Sequence, residues 1–316
     1  MAGFAAGRYA AIDLGTVTCR MLLTDVDAAG CLHEVRREYR IINLGEGVDA
    51  GGRLSQAAIK RAAATIGGYR AIAEAEGGPV RLVAFATSAA RDAANADELV
   101  RQVAEAGVAL RVIPGEEEAR LSFSGASMDF SGQDLLVVDV GGGSTEVVAG
   151  RGGATVARSR SFDVGCRRMT ERFLRSDPPA ADERRRAAAW AREQMAPYFD
   201  ELRAAGLGWE RVVAVAGTAT TAVSLIEQMR DYDPARVHGY RVSRAALAEQ
   251  LERLAALPLA ARRDVAGLDP DRAPVIVAGL QILLGVLDLA GADAFTASET
   301  DILQGAVLAA AGGRWG

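Results

Sequence analysis

The chain has a single lysine, Lys60, and two histidines, His33 and His238. A phosphate loop of the GxxxxGK[ST] kind needs a lysine to reach the phosphates, and none is suitably placed. Positive charge at an anion site must therefore come from arginine or a metal. The cysteines Cys19, Cys31 and Cys166 are three and widely spaced, with no CxxC pair. A structural zinc site and a disulfide framework are both excluded as working readings, and the thiols are expected in the core. The most apolar late stretch, residues 273–292, is interrupted by Gln281 and Asp288, so it is expected to be a buried helix rather than a membrane span. Residues 1–13 lack the apolar core of a signal peptide, and a cytoplasmic protein is expected. A net charge of −5 argues against a nucleic-acid coat. Arginine and alanine are so abundant that any single arginine carries little weight by itself.

What is present centres on residues 135–150, LLVVDVGGGSTEVVAG. A buried strand ends in Asp139. Gly141, Gly142 and Gly143 follow, then Ser144, Thr145 and Glu146, and a second apolar run begins. Glycines allow a tight turn and close backbone approach to a ligand, and successive N–H groups in such a turn form a concave anion site. An acid at the strand end can hold a hard cation such as Mg²⁺. The plainer alternative is a hairpin with a Gly-rich turn and no further role.

A second copy favours the ligand site. Near the N-terminus the sequence AAIDLGTVTCRMLLTDV aligns Asp13 with Asp139, Gly15 with Gly141 and Thr18 with Ser144, at one constant spacing of 126 residues. Self-similarity at long spacing predicts two related halves. If the halves face each other, a phosphate chain and its metal would lie in the cleft between them.

The rest alternates strands with helices, which predicts an α/β fold. Strands are expected over 9–25 (two, joined by the turn), 31–44, 81–87, 110–113, 154–163, 211–216 and 295–297. Helices are expected over 55–76, after 92 to 106, from 116, 169–174, 182–205, after 221, 243–255, 274–289 and 302–311. Residues 232–241, with His238, are expected to be a loop. Domains are expected over 1–128 and 129–316, the last helix being free to pack back on the first. Pro114-Gly115 precedes Glu116-Glu117-Glu118. Acids suit a helix's first turn, yet this triplet joins the two repeats, where a carboxylate could act as general base on water. At Gly217-Thr218 a strand meets a helix, which suits either anion binding or ordinary capping.

These segments resemble one family. AAIDLGTVTCRMLL, FATSAARDAAN, IPGEEEARLSFSGA, LLVVDVGGGSTEVV, FDVGCRRMTERFLRSDPP, AVAGTATT, LDPDRAPVIVAGLQIL and ASETDILQGAVL are together similar to the exopolyphosphatase / guanosine pentaphosphate phosphohydrolase (Ppx/GppA) family, most of all its short, two-domain actinobacterial branch. The resemblance implies a two-domain α/β fold of the actin–Hsp70–sugar-kinase (ribonuclease H-like) kind, with a duplicated core and an interdomain cleft. It implies that Glu118, the glutamate just before Ala-Arg, is the general base. Asp139 and Glu146 become metal-side carboxylates for Mg²⁺, with Mn²⁺ as an alternative. The first phosphate loop becomes Asp13, Gly15, Thr16 and Thr18, followed by Arg20; the second becomes Gly141, Gly142, Gly143, Ser144 and Thr145. Arg91 takes the place of a phosphate-contacting arginine, and Gly217 and Thr218 join the phosphate set. One departure stands out: the family's first loop usually carries asparagine where this chain has Val17, and valine offers no polar group.

The implied reaction is metal-dependent release of terminal phosphate from inorganic polyphosphate. Hydrolysis of guanosine pentaphosphate or of NTP/NDP is the first alternative. A non-catalytic phosphate or nucleotide sensor, suggested only by Val17, is the second. A homodimer is suggested by the resemblance alone; neither nucleic acid nor membrane is expected as a partner.

Overall fold

The computed structural model describes residues 3–153 and 155–315. Contacts divide the chain into two compact units, Met1–Gly125 with Asp301–Gly316, and Ala126–Thr300. Strands β1 (Gly7–Leu14), β2 (Thr18–Val26) and β3 (Leu32–Ile41) open the first unit. The short helix α1 (Val48–Gly51) and the long α2 (Gln56–Ala75) follow, then β4 (Arg81–Ala86), α3 (Ser88–Asp92), α4 (Ala96–Glu105), β5 (Leu110–Val112) and α5 (Gly115–Ala126). Ser55 caps α2, its hydroxyl accepting from the Ala58 N–H at 3.2 Å, as N-cap serines do. The sheet order is β3-β2-β1-β4-β5. Strands β1 to β3 form an antiparallel meander, whereas β1, β4 and β5 run parallel. The central strands are nearly continuous apolar runs because both of their faces are covered. Edge strand β3, LHEVRREYRI, is largely charged and half-exposed, which discourages edge-to-edge pairing.

The second unit holds β6 (Asp134–Val140), β7 (Thr145–Arg151), β8 (Thr155–Phe162), α6 (Cys166–Phe173), α7 (Ala181–Ala204), β9 (Arg211–Val215), α8 (Ala216–Ile226), α9 (Pro234–Val237), β10 (Arg241–Ser243), α10 (Arg244–Ala255), α11 (Leu259–Arg262), α12 (Ile276–Ala290) and β11 (Ala294–Ala297). Its sheet order is β10-β11-β9-β6-β7-β8. The expected strand start at Ala154 lies outside the described residues. The chain then enters α13 (Ile302–Ala311), which belongs to the first unit. There Ile302, Leu303, Ala306 and Val307 cover Tyr9, Ala11, Leu22 and Phe85 on one sheet face, while α2 and α4 cover the other. Each large apolar side chain buried in this way contributes about 1.5–3 kcal/mol. The apolar stretch expected as a buried helix is α12, and its core-facing residues are almost fully enclosed. No helix among the described residues is long and apolar enough to cross a membrane.

The repeat seen in the sequence is a repeat of structure. The order β3-β2-β1-β4-β5 has its counterpart in β8-β7-β6-β9-β11. The register shift at Leu23/Thr24 recurs at Ala149/Gly150, the same spacing that separates Asp13 from Asp139. Two local expectations are corrected. Residues 241–243 form strand β10 rather than loop and helix start, paired with β11. Helix α6 begins at Cys166, ahead of the expected 169, because the glycine turn supplies acceptors for its first N–H groups. Residues 88–92, to which the sequence assigned no element, form helix α3.

Candidate active site

In the first unit, Asp13 stands near the end of β1, and the chain turns through Gly15, Thr16 and Val17 into β2. The Gly15 N–H donates to the Thr18 carbonyl at 2.8 Å. The Thr16 carbonyl accepts from Gly45, and the Val17 carbonyl from Ile42 and Asn43, each at 2.9 Å. The turn's carbonyls are thus fixed on the 42–45 loop, which crosses so closely that a Cβ on Gly45 would run into the Thr16 side chain. Among the described residues the N–H groups of Thr16 and Val17 have no hydrogen-bond partner, an arrangement suited to an anion. The Val17 side chain is buried.

Asp13 and Arg20 are register partners across β1 and β2, and Arg20 Nη2 donates to Asp13 Oδ2 at 2.6 Å. Arg20 Nη1 donates to Asp301 as well. Burial pushes the Asp13 carboxyl up from its ordinary value, against the pull of Arg20. Burial works against the charge on Arg20, but Asp301 and Asp13 outweigh it and hold the guanidinium far above its usual range. Arg20, expected on phosphate, is therefore engaged by two carboxylates in this structure.

The three glutamates opening α5 have different surroundings. Glu116 is exposed, Glu117 is half-buried and ion-paired to Arg111, and Glu118 is buried. Arg91, in α3, donates from Nη1 to Glu118 Oε2 at 2.5 Å and to the Ile113 carbonyl at 3.1 Å. Because the guanidinium is anchored on backbone, it orients the carboxylate. The structure thus brings Glu118 and Arg91 together.

In the second unit β6 delivers Asp139 to the glycine turn. The Gly141 N–H donates to the Ser144 carbonyl at 3.0 Å, repeating the Gly15–Thr18 bond. The carbonyl side of this turn meets the start of α6: Cys166 N–H donates to Gly141 and Arg167 N–H to Gly142, both at 2.9 Å, and Arg168 Nε donates to Gly143 at 2.8 Å. These bonds satisfy both the turn and the helix's opening N–H groups. Gly165 lets the segments approach, since a Cβ there would overlap the backbone of Gly142 and Gly143. Among the described residues the N–H groups of Gly142, Gly143 and Ser144 have no hydrogen-bond partner, as at the first turn.

Two expected phosphate hydroxyls are engaged elsewhere. Thr145 Oγ1 donates to the Val164 carbonyl at 2.5 Å, and Thr218 Oγ1 to the Val140 carbonyl at 3.0 Å. Both residues are buried, and each hydroxyl ties the turn to its neighbours. Gly217 follows Ala216, which is held at φ 61, a left-handed conformation unusual for alanine. A Cβ on Gly217 would strike the guanidinium of buried Arg272. Arg272 and Arg167 also oppose burial's upward push on the Cys166 thiol, so positive charge gathers beside the turn. Arg272, Arg168 and Asp301 are the residues missed as site components. LDPDRAP marked Arg272 as part of a motif but not its packing on Gly217.

Asp139 and Glu146 are register partners on β6 and β7, and opposed residues on an antiparallel pair share one face. Both are buried, and Ser161 Oγ donates to Glu146 Oε1 at 2.6 Å. No group of three or more potential metal ligands occurs among the described residues. Two facing hard-oxygen donors nevertheless fit Mg²⁺, which binds through one or two carboxylates, waters and substrate phosphates rather than an all-protein cage.

A family model described as the Ppx/GppA phosphatase family matches residues 23–311. Exopolyphosphatase 2 of Mycobacterium tuberculosis (strain H37Rv) is 42% identical over 322 residues, covering 96% of this chain and 99% of that protein. The crystal structure of the Aquifex aeolicus member of the Ppx/GppA family superposes with a TM-score of 0.80 at 28% identity, over 96% of this chain and 97% of that one. That of an exopolyphosphatase from Cytophaga hutchinsonii gives a TM-score of 0.87 at 26% identity, over 97% and 98%. The fold is the two-domain, actin-like α/β fold of these proteins.

Proposed function

This chain belongs to the Ppx/GppA phosphatase family, a family of hydrolases acting on phosphoanhydride bonds, and on that premise we propose that it is an exopolyphosphatase releasing terminal phosphate from inorganic polyphosphate. The observation that carries the reading is Glu118, a buried carboxylate oriented by a backbone-anchored arginine at a helix start. Glu118 takes a proton from the attacking water, whose oxygen bonds to the terminal phosphorus. The bond to the bridging oxygen breaks, and the chain leaves one phosphate shorter. General-base assistance of this kind contributes about 10²–10⁴-fold. The N–H groups of Thr16 and Val17, and of Gly142, Gly143 and Ser144, hold phosphate oxygens. Arg91 keeps the base in place, and Arg272 and Arg168 add positive charge at the second turn. A divalent metal, for which we take Mg²⁺ with Mn²⁺ as a substitute, would be held by Asp139 and Glu146 and would neutralise phosphate charge.

The relatives' names support the substrate, since the 42% identical protein is an exopolyphosphatase. The test is phosphate release from polyphosphates of defined length and from guanosine pentaphosphate, side by side, with Mg²⁺ and with EDTA. Metal-dependent release from polyphosphate is expected. Preference for the nucleotide would replace the substrate, and binding without release from either would replace catalysis by sensing.

A further inference from the structure

Three charged side chains far apart in sequence meet inside the first unit: Asp13 on β1, Arg20 on β2 and Asp301 before α13. Their side chains are 8%, 17% and 4% exposed. Arg20 donates to both carboxylates, so the guanidinium is clamped from two sides. Asp301 has a second task. Its Oδ1 accepts from the Leu303 N–H at 3.0 Å, and its own N–H donates to Gln304 Oε1 at 2.9 Å, a reciprocal cap of α13. One carboxylate therefore fixes the start of a helix and one half of the arginine clamp.

The same helix is locked to α5. A Cβ on Gly125 would run into the Asp301 carbonyl, and one on Gly305 would run into the Leu121 carbonyl. Each helix thus offers a glycine to the other's backbone. Leu121 lies one turn after Glu118 on α5. A continuous path of contacts runs from the turn at Asp13, through Arg20 and Asp301, to the helix carrying Glu118.

We infer that Asp301 is a positioning residue: through Arg20 it holds Asp13 and the first phosphate turn in fixed relation to the helix bearing Glu118. Arg20 on this view acts through Asp13 rather than as a free phosphate clamp. The inference rests on the hydrolase reading above for its consequence in turnover, but the clamp itself has a readout that needs no turnover.

Asp301→Asn separates charge from capping, because asparagine caps as well as aspartate. Its melting temperature should stay within a few degrees of the unaltered protein. Its kcat/KM for tripolyphosphate should fall about tenfold, mainly in kcat, since Asp301 touches no substrate. Arg20→Gln should lose more, and the double variant should lose no more than Arg20→Gln alone, as expected for residues acting in series. A double variant whose loss is the product of the single losses overturns the inference. Independently, the Nη1–H resonances of Arg20, assigned by their disappearance in Arg20→Gln, should exchange with solvent at least about tenfold faster in Asp301→Asn, their hydrogen-bonded partner having lost its charge. Unchanged exchange also overturns it. If the unaltered protein releases no phosphate, the hydrolase reading fails, and the exchange rate alone decides the clamp.

Discussion

Replacing Glu118 by glutamine isolates the step on which the proposed reaction depends. The Glu118 side chain is 10% exposed and its carboxylate lies 2.5 Å from Arg91 Nη1. Glutamine keeps an oxygen that can accept this hydrogen bond, so orientation survives while the proton acceptor is lost. A general base contributes about 10²–10⁴-fold, or roughly 2.7–5.5 kcal/mol at 1.36 kcal/mol per tenfold. Losing the ion pair costs stability separately. Breaking a fully buried pair costs about 3–5 kcal/mol, but Arg91 keeps its bond to Ile113 and is 20% exposed. A cost of about 1–3 kcal/mol is expected, a fall of several degrees in melting temperature. Affinity for tripolyphosphate should hold or tighten, since a negative charge beside a polyanion has been removed. The assay is phosphate release at saturating Mg²⁺ and substrate, with calorimetric binding and thermal melting alongside. Glu116→Gln and Glu117→Gln are internal controls, because neither side chain is buried, and each should change kcat less than about threefold, as expected of residues outside the chemical step. Release by Glu118→Gln at near the unaltered rate would refute the assignment, and so would an equal loss in all three variants.

Three further outcomes are expected. Val17→Asn should lower KM for polyphosphate about tenfold if the amide reaches a phosphate, the range for a buried polar contact being about 1–3 kcal/mol; unchanged KM and kcat would show that the family's asparagine has no counterpart function at this turn. Gly165→Ala should cost about 1–3 kcal/mol by overpacking and reduce turnover, because the new Cβ meets the backbone of Gly142 and Gly143; a variant with unaltered melting and activity would remove the close approach from the argument. Glu183 is held down to about 2, first by the Ser176 hydroxyl and then, against burial, by the amides of Ala180, Ser176 and Arg175. A lowered carboxyl stabilises the fold above its ordinary pKa of 4.5 and loses that effect as pH falls toward about 2; Glu183→Gln should therefore flatten the decline of melting temperature between about pH 5 and 2, and an equally steep decline would reject the linkage.

The features legible in the sequence were those whose cause is local. The twin turns could be read because strand, acid, glycine and hydroxyl follow one another within a few residues and recur at one spacing. The buried helix α12 was legible because its apolar residues are continuous. The identity of the base within the glutamate triplet was not a matter of local physics, since all three residues suit a helix start; only the resemblance singled out Glu118, and burial against Arg91 distinguishes it in the structure. The Arg20–Asp301 bond joins residues 281 positions apart, beyond any periodicity. Arg272 over Gly217 is of the same kind. The carbonyl partners of the Thr145 and Thr218 hydroxyls were not legible because a sequence shows that a threonine flanks a turn but not which carbonyl lies nearest. Strand β10 has three residues and owes its form to β11 rather than to its own propensity, which is weak for so short a segment.

The repeat is most informative where its copies differ. Arg20 and Glu146 occupy the same place in the two halves, each directly opposite the strand-end acid. In the first half an acid faces an arginine, and the pair is compensated from within the protein, with Asp301 completing the clamp. In the second half an acid faces an acid. Opposed residues on antiparallel strands have Cα atoms only about 4.5–5.5 Å apart, and two buried carboxylates at that distance repel strongly unless positive charge is placed near them. A divalent cation held by Asp139 and Glu146, as proposed above, would meet that need. Both turns present unpartnered N–H groups suited to an anion, but the second sets two acids opposite each other, with Ser161 donating to Glu146. One turn geometry, used twice with a single change of charge across the ladder, thus gives one half an acid–arginine pair compensated by Asp301 and the other a pair of facing acids, the pair proposed above to hold the metal.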